Sequence, residues 1–274
     1  MEKIELSIII VDYNSLKFTI ELVDDLLKHL KALKYEIIIV DNDPNGDSAE
    51  KLKALYLKDK RIKALKNDKN SGYGSGNNLG AKHATGEYIL LLNPDVKIVD
   101  DSIERMLDFM SKHSEVGALS PLIYQTDAKN LQRHFFGDFQ SMAGITFQRW
   151  RGKTADLSKE FFYAEMITGA ALLISRELYE KLGGFDENFF MYMEDDDLCR
   201  RISNLGLKNA VLTTARVMHY EGQSSTSYEK KKFYYKSQDY YWQKHYGSFK
   251  TVLMKIIRYP YILLQKLNNR DIKQ

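Results

Sequence analysis

Apolar positions along this chain alternate between short continuous runs and helical spacings. Leu6 to Val11 is a β-branched run that stops at Asp12, Tyr13 and Asn14, and Ile37 to Val40 is a second, stopping at Asp41, Asn42, Asp43 and Pro44. Tyr88 to Leu92 is a third, followed by Asn93, Pro94 and Asp95. Continuous runs of this length predict buried parallel strands. Between them Phe18, Leu22, Leu26, Leu27 and Leu30 recur at helical spacing behind Ser15, a residue suited to cap a helix. Strand and helix in regular alternation predict an α/β fold, a mostly parallel sheet covered by helices on both faces.

The remaining pattern adds a helix from about Ser48 to Leu57 and a short strand near Ile62 to Leu65. Asn67 to Gly76 reads as a glycine-rich loop before a helix starting near Asn77. A helix from about Asp101 to Lys112 and a strand at Val116 to Leu119 follow. From 124 to 165 no period is visible, which predicts irregular structure on the acceptor side of a site. Thr168 to Ser175 reads as a strand, with Gly169 where a side chain would crowd a neighbour, and Arg176 to Leu182 as a helix. Val217 to Tyr220 predicts a last strand and Tyr228 to Tyr246 a helix.

Three of these strands end in carboxylates or amides. In open α/β sheets ligands sit outside the carboxyl ends of the strands, so the endings point to one crevice. Composition changes this picture little. The net charge of +3 over 274 residues is small and its lysines are dispersed, which gives no reason to expect a nucleic-acid partner. Cys199 is the single cysteine, so no internal disulfide or cysteine-rich zinc site can form, and it reads as a packed thiol. No apolar run is long enough to span a bilayer, and the N-terminus lacks the long apolar stretch of a secretory signal. A cytoplasmic location is the default expectation.

Asp95 follows a buried run and therefore lies at the sheet rim. There a carboxylate can hold Mn²⁺ or Mg²⁺ whose other ligands come from substrate phosphates, or simply close an Asn-Pro-Asp turn. Glu194 to Asp197 places four acidic residues directly after the aromatic run Phe189 to Met193. Such a cluster needs a helix N-terminus or cations beside it, and it supplies either a general base, Asp195 or Glu194, or a solvated cap. His219 reads as a hydrogen-bonded structural histidine or as a partner of Asp95 on a metal. Gly72, Gly74 and Gly76 do not follow the first strand and lack a Lys-Ser/Thr pair, so they form neither a dinucleotide fingerprint nor a Walker loop. They could let backbone approach a pyrophosphate or form a tight connection.

Taken together these stretches resemble family 2 of the inverting glycosyltransferases with the GT-A fold, in particular its rhamnosyltransferase-like members. The resemblance rests on Val11-Asp12-Tyr13-Asn14, Val40-Asp41-Asn42, Asn70 through Asn78 and Leu92-Asn93-Pro94-Asp95. It continues through Thr168-Gly169-Ala170, Gly184-Phe185-Asp186-Glu187, Phe189 to Arg201, and His219 with Gly222 and Ser224. It implies a catalytic domain over 1–225, with a donor half to about residue 120 and an acceptor half beyond it, and a helical extension over 226–274. Tyr13, Asn14, Asp41 and Asn42 would line the nucleobase and ribose pocket, with the loop carrying Asn70, Gly72, Tyr73, Gly76 and Asn77 beside the donor. Asp95 takes the last position of the family's Asp-x-Asp signature. Asn93 stands at its first position, where a second carboxylate is usual, and would contact the donor sugar instead. His219 would complete the metal site, Asp195 of the Glu194-Asp195 pair would be the base, and Arg200 or Arg201 could assist the phosphate.

The implied reaction moves a sugar from a nucleoside-diphosphate donor, dTDP- or UDP-linked and conceivably L-rhamnose, to a glycan or polyprenyl-linked hydroxyl in cell-surface polysaccharide synthesis. Two other readings compete. A sugar nucleotidyltransferase should carry a glycine-rich basic loop after the first strand, where Asp12 to Ser15 stand here. An inactive, binding-only domain is opposed by the presence of Asp95, Asp195 and His219. The tail from Val252 to Leu267 interleaves Leu, Ile and Tyr with Lys255, Arg258 and Lys266, and could pack on the domain or lie on the inner membrane surface.

Overall fold

The computed structural model describes residues 3–146, 154–220 and 227–271, and in the last segment the side chains of 231–263. Gly222, Ser224 and the expected boundary at 225/226 lie outside the described residues.

The elements run β1 (Leu6–Asp12), α1 (Leu16–His29), β2 (Tyr35–Asp41), α2 (Ser48–Leu55), β3 (Ile62–Lys66), α3 (Tyr73–Ala81), β4 (Tyr88–Leu92) and β5 (Val96–Ile98). They continue with α4 (Ser102–Lys112), β6 (Val116–Tyr124), β7 (Phe136–Gly137), α5 (Met142–Thr146), β8 (Phe161–Ala164), β9 (Met166–Ile167), β10 (Ala171–Ser175) and α6 (Arg176–Lys181). Last come α7 (Glu194–Asn204), β11 (Lys208–His219) and α8 (Ser227–Asp271), which is broken at Gly247, where φ is +81°.

Every residue of β1 and β2 is buried, as uninterrupted apolar runs in a two-sided sheet require. The main sheet has the order β3-β2-β1-β4-β10-β6-β11-β5, with β8 also paired to β11. β1 to β4 are parallel, and so are β6 and β11. β10 runs antiparallel between β4 and β6, and this reversal makes the sheet mixed. β5 pairs antiparallel with β11 in a register that sets Val96 opposite His219. That pairing carries residues more than a hundred positions apart in the chain to one rim.

Several local expectations are corrected. The glycine-rich stretch is no loop up to Gly76: α3 already starts at Tyr73. Its glycines serve contact with the sheet. A Cβ at Gly76 would stand 2.8 Å from Val11 Cγ1, and one at Gly80 would stand 2.5 Å from Ile9 Cγ2. Ser15 precedes α1, yet its hydroxyl turns back to donate to Asp12 Oδ2 and caps no helical N–H. The last strand is twelve residues long, since the polar positions Asn209 and Thr213 are bonded to Glu165 O and to Lys159 and Glu160 O. Within 124–165 the described chain is mostly irregular, as expected, interrupted by the short β7, α5 and β8, whose two to five residues show no period. Cys199 is buried beside Ile167, as a packed thiol should be.

The tightest junction lies at Gly72. Its φ is +103°, and an added Cβ would sit 2.0 Å from the Phe190 carbonyl oxygen. Gly183 has a comparable φ of +74° but open space around it. Gly72→Ala should therefore lower the unfolding free energy by about 2–4 kcal/mol, against about 1 kcal/mol for Gly183→Ala. Urea unfolding of both variants checks this, and equal losses would refute the backbone-contact explanation.

Candidate active site

The carboxyl ends of β1, β2 and β4 open onto a cleft of about 930 Å³. Tyr13, Asn14, Asn42, Asn70, Gly72 and Tyr73 line one part of it. Asn42 is the organiser there. Its amide donates to Asn70 Oδ1 (3.1 Å) and Gly72 O (3.2 Å), and its Oδ1 accepts from Asn67 Nδ2 (2.7 Å). These bonds hold the segment before α3 against the end of β2. Asp41 is fully buried behind it and does not line the cleft. It accepts from Lys66 Nζ (3.0 Å) and from the N–H groups of Ala49 and Asp43, so it braces the strand end. Gly76 and Asn77 also stay outside the lining: Gly76 packs on Val11, and Asn77 Nδ2 donates to Tyr73 O.

Asn93, Asp95 and His219 meet at the rim where β4 gives way to β5 and β11 ends. The Tyr220 N–H donates to Asp95 O and locks the two chain ends together. His219 Nδ1 lies 2.8 Å from Gln132 Oε1 and its Nε2 lies 3.0 Å from Asp95 Oδ1, so each ring nitrogen faces an oxygen acceptor. A neutral imidazole has one proton for these two contacts, and with that proton on Nδ1 the lone pairs of Nε2 and Asp95 Oδ1 face each other where a cation can bridge them. One carboxylate oxygen beside one imidazole nitrogen suits Mn²⁺, with positions left for phosphate and water. Asn93 Nδ2 is 3.4 Å from the same nitrogen, so it adds a donor and no second anion. Among the described residues no three His, Cys, Asp or Glu side chains converge on one point.

The other wall runs from Phe190 to Asp195. Tyr192 and Met193 both have left-handed backbones, φ +68° and +69°, a strained pair of non-glycine residues directly before α7. The first turn of α7 holds all four acidic residues, and its cations are now visible. Asp197 Oδ2 accepts from Arg201 Nε (2.8 Å), while its Oδ1 meets Lys244 Nζ (2.7 Å) and His245 Nε2 (2.8 Å). Burial opposes ionisation of Asp197, but the His245 hydrogen bond and the Arg201 and Lys244 charges outweigh it and keep the carboxyl below its ordinary range. Lys244 also pairs with Asp186. Against the cost of burial, that cation together with Asn188 and Tyr240 draws Asp186 down to about 2.

Glu194 and Asp195 line the cleft in different environments. Burial, and then the neighbouring Asp195 charge, push Glu194 well above the ordinary carboxylate range, and its Oε2 has no hydrogen-bond partner. Asp195 is only part-buried. Its Oδ2 accepts from the Gly169 N–H (3.2 Å) and its Oδ1 from the Asp196 N–H (2.9 Å), which orients the carboxylate at the wall. Gly169 itself is packed under Tyr73, whose hydroxyl donates to Gly169 O at 2.7 Å.

Arg200 and Arg201 do not reach the cleft. The Arg201 guanidinium is held by Asp197 and by the carbonyls of Leu182 and Gly184, and Arg200 lies over the rings of Phe139 and Tyr246. The sequence pattern also misses contributors. Gln132, which orients His219, sits in the aperiodic stretch and carries no signal. Phe233 and Tyr234 come to the cleft from α8, in the part of the chain that the pattern assigns to an extension.

The profile described as "Glycosyl transferase family 2" matches residues 7–183, more than half of the chain. The chain belongs to glycosyl transferase family 2. A second profile, "N-terminal domain of galactosyltransferase", matches residues 151–229. This family 2 chain is 30% identical over 209 residues to the O-antigen biosynthesis protein RfbC of Myxococcus xanthus, covering 74% of this chain and 16% of that protein. It is 28% identical over 202 residues to the N-acetylglucosaminyl-diphospho-decaprenol L-rhamnosyltransferase of Mycobacterium tuberculosis, covering 66% of each. Among solved structures, GalNAc-T7 with UDP, GalNAc and Mn²⁺ aligns with a TM-score of 0.65 at 17% identity, over 93% of this chain and 54% of that one. The mannosyltransferase PcManGT of Pyrobaculum calidifontis, in complex with GDP-Man and Mn²⁺, aligns with 0.61 at 16%, over 81% and 59%. The fold of this family 2 member is therefore GT-A.

Asp95→Ala should abolish Mn²⁺-dependent binding of UDP or dTDP, and His219→Ala should weaken it by at least about tenfold. Isothermal calorimetry with and without Mn²⁺ measures both, and metal-dependent binding that survives Asp95→Ala would remove Asp95 from the ligand set.

Proposed function

We propose that this chain is an inverting glycosyltransferase that moves a sugar from a nucleoside diphosphate to an acceptor hydroxyl. The observation that carries the reading is the presence, in one cleft, of an Asp95–His219 acceptor pair at the sheet rim and an oriented carboxylate, Asp195, at the start of α7. The first suits a cation that meets a diphosphate, and the second suits a general base. A divalent cation, when bound, supplies positive charge to the departing nucleoside diphosphate. Asp95 and His219 hold it, and Asn93 contacts the donor sugar beside it. Tyr13, Asn14, Asn42 and Asn70 form the nucleoside pocket.

Asp195 removes the proton from the acceptor hydroxyl as that oxygen attacks the anomeric carbon and the bond from that carbon to the diphosphate oxygen breaks. Attack from the face opposite the leaving group inverts the configuration. Glu194 keeps its proton beside Asp195 and so leaves the negative charge of the pair on the base. Arg200 and Arg201 take no part in the proposal, since their guanidinium groups are engaged elsewhere.

The donor is proposed to be a dTDP- or UDP-sugar, with L-rhamnose favoured because the mycobacterial relative is named for its transfer. That relative's name also supports a polyprenyl-diphosphate-linked acceptor, and hence work at a membrane surface in cell-surface polysaccharide synthesis. Among the described residues no helix is long and apolar enough to cross a membrane.

Asp195→Asn should lower kcat by about 10²–10⁴-fold and leave the dissociation constant of the donor within about twofold. Turnover assays and calorimetry on the same preparation measure the two, and retained turnover would refute the base assignment. The donor follows from thermal shift against dTDP-, UDP- and GDP-sugars with Mn²⁺, since a ligand bound only to the folded state raises its apparent stability. No shift with any of them would favour the binding-only reading.

A further inference from the structure

Beyond Gly247 the second part of α8 has its two faces arranged in an unusual sense. Thr251, Met254 and Arg258 point inward and are buried. Arg258 Nη1 donates to Gln238 Oε1 (2.6 Å) and its Nη2 to Asp239 Oδ1 (2.7 Å), which fastens this part of the helix to the part before the break. The outward face is the more apolar one. Phe249 is 83% exposed, Ile256 and Tyr259 are each 63% exposed, and Val252, Leu253 and Leu263 are also exposed.

At the helical repeat these six side chains occupy an arc of about 120°, with Lys250 and Lys255 on its two borders. An apolar stripe of this size turned to solvent marks an interaction surface. Charge identifies the partner. Between Asp239 and Asp271 the sequence holds no acidic residue; Lys244 is taken up by Asp186 and Asp197, and Lys255 and Arg258 by Asp239, while Lys250, Lys266 and Arg270 come in addition. The charge of Asp239 is already more than met by Arg258 and Lys255, which stand 2.7 and 3.1 Å from its two oxygens. A protein partner would have to bury the apolar stripe and answer a run of cations that has no internal anion. A bilayer with anionic headgroups does both, with acyl chains under the stripe and phosphates at the flanking lysines.

We infer that the face formed by Phe249, Val252, Leu253, Ile256, Tyr259 and Leu263 docks this protein in the plane of an anionic lipid surface. The inference deepens the reading of a membrane-linked acceptor and rests on it only for its purpose. The helix that docks continues, across the break, into the segment bearing Phe233 and Tyr234, which line the cleft. Gln140 ties the part before the break to the acidic wall: it accepts from Gln238 Nε2 (2.8 Å), and its own Nε2 donates to Tyr234 OH (2.6 Å) and to Met193 Sδ (3.4 Å). Docking would thus hold the cleft at a fixed position over the lipid surface from which its acceptor hydroxyl is presented.

Co-sedimentation of the full chain with vesicles tests this, using pure phosphatidylcholine or equal parts phosphatidylcholine and phosphatidylglycerol. The protein should sediment with the anionic vesicles, less at high salt, and little with phosphatidylcholine alone. The double substitution Phe249→Ser/Ile256→Ser should reduce the bound fraction on the order of tenfold, and Lys250→Glu should weaken binding and lessen its salt dependence. Both variants should keep the melting temperature and UDP binding of the parent, since none of these residues lines the cleft. Failure to sediment with anionic vesicles, or double-variant binding equal to the parent's, would overturn the proposal. So would ultracentrifugation that shows a dimer of the parent dissociated by the same double substitution, which would assign the face to a second copy of the chain. Vesicle binding requires no turnover, so its failure leaves the transferase reading standing, and absence of donor binding leaves the docking result intact.

Discussion

Four carboxylates at the start of one helix are the constraint around which the acceptor side of this molecule is arranged. Glu194 to Asp197 occupy the first turn of α7, and three of the four are buried. The helix dipole favours negative charge there, but the gain from a dipole is on the order of 1 kcal/mol and cannot offset so much buried charge. The structure solves this unevenly along the turn. Asp197 is neutralised by Arg201 of the same helix and by Lys244 and His245 of α8, Asp195 is given two backbone N–H donors, and burial pushes Glu194 well above the ordinary carboxylate range. One acidic run thus supplies an anchor, a carboxylate oriented at the cleft wall and a buried acid beside it.

That solution explains why α8 belongs to the site. Its cations answer Asp197 and Asp186, its Tyr241 and Trp242 are fully buried against Phe189 and Met193, and two of its aromatic side chains reach the cleft. The same helix, past Gly247, turns its apolar face outward. The inner face holds the acidic wall in place, and the outer face carries the apolar stripe for which lipid docking is proposed.

The donor side rests on a different economy of space. α3 comes close enough to the sheet that Gly76 and Gly80 leave no room for a methyl group, and Gly72 touches the Phe190 carbonyl. This backbone contact joins the segment beside Asn42 and Asn70 to the wall that ends in Asp195. Substitutions along that seam would be felt on both sides of the reaction, because close-packed interiors transmit displacement.

The sequence by itself determined the elements whose signal is local. Uninterrupted apolar runs specify β1, β2 and β4, since a strand buried on both faces tolerates little else, and the polar residues that end them mark the rim. Asp95 was placed at the rim for that reason, the Glu194–Asp195 pair was singled out as acidic residues after an aromatic run, and family resemblance alone separated Asp195 from Glu194. Other features depended on distant partners. Glycines read as loop freedom proved to be contact positions in a helix, because only the folded sheet shows what a Cβ would strike. Asp41 and Asn77 sit beside the site without lining it, and Arg200 and Arg201 turn away from it. Gln132, with no pattern around it, holds the ring of His219 through Nδ1. Local runs report which face of an element is buried, whereas the partner of a polar group is chosen by register across strands such as β5 and β11, and the tertiary structure alone decides that register.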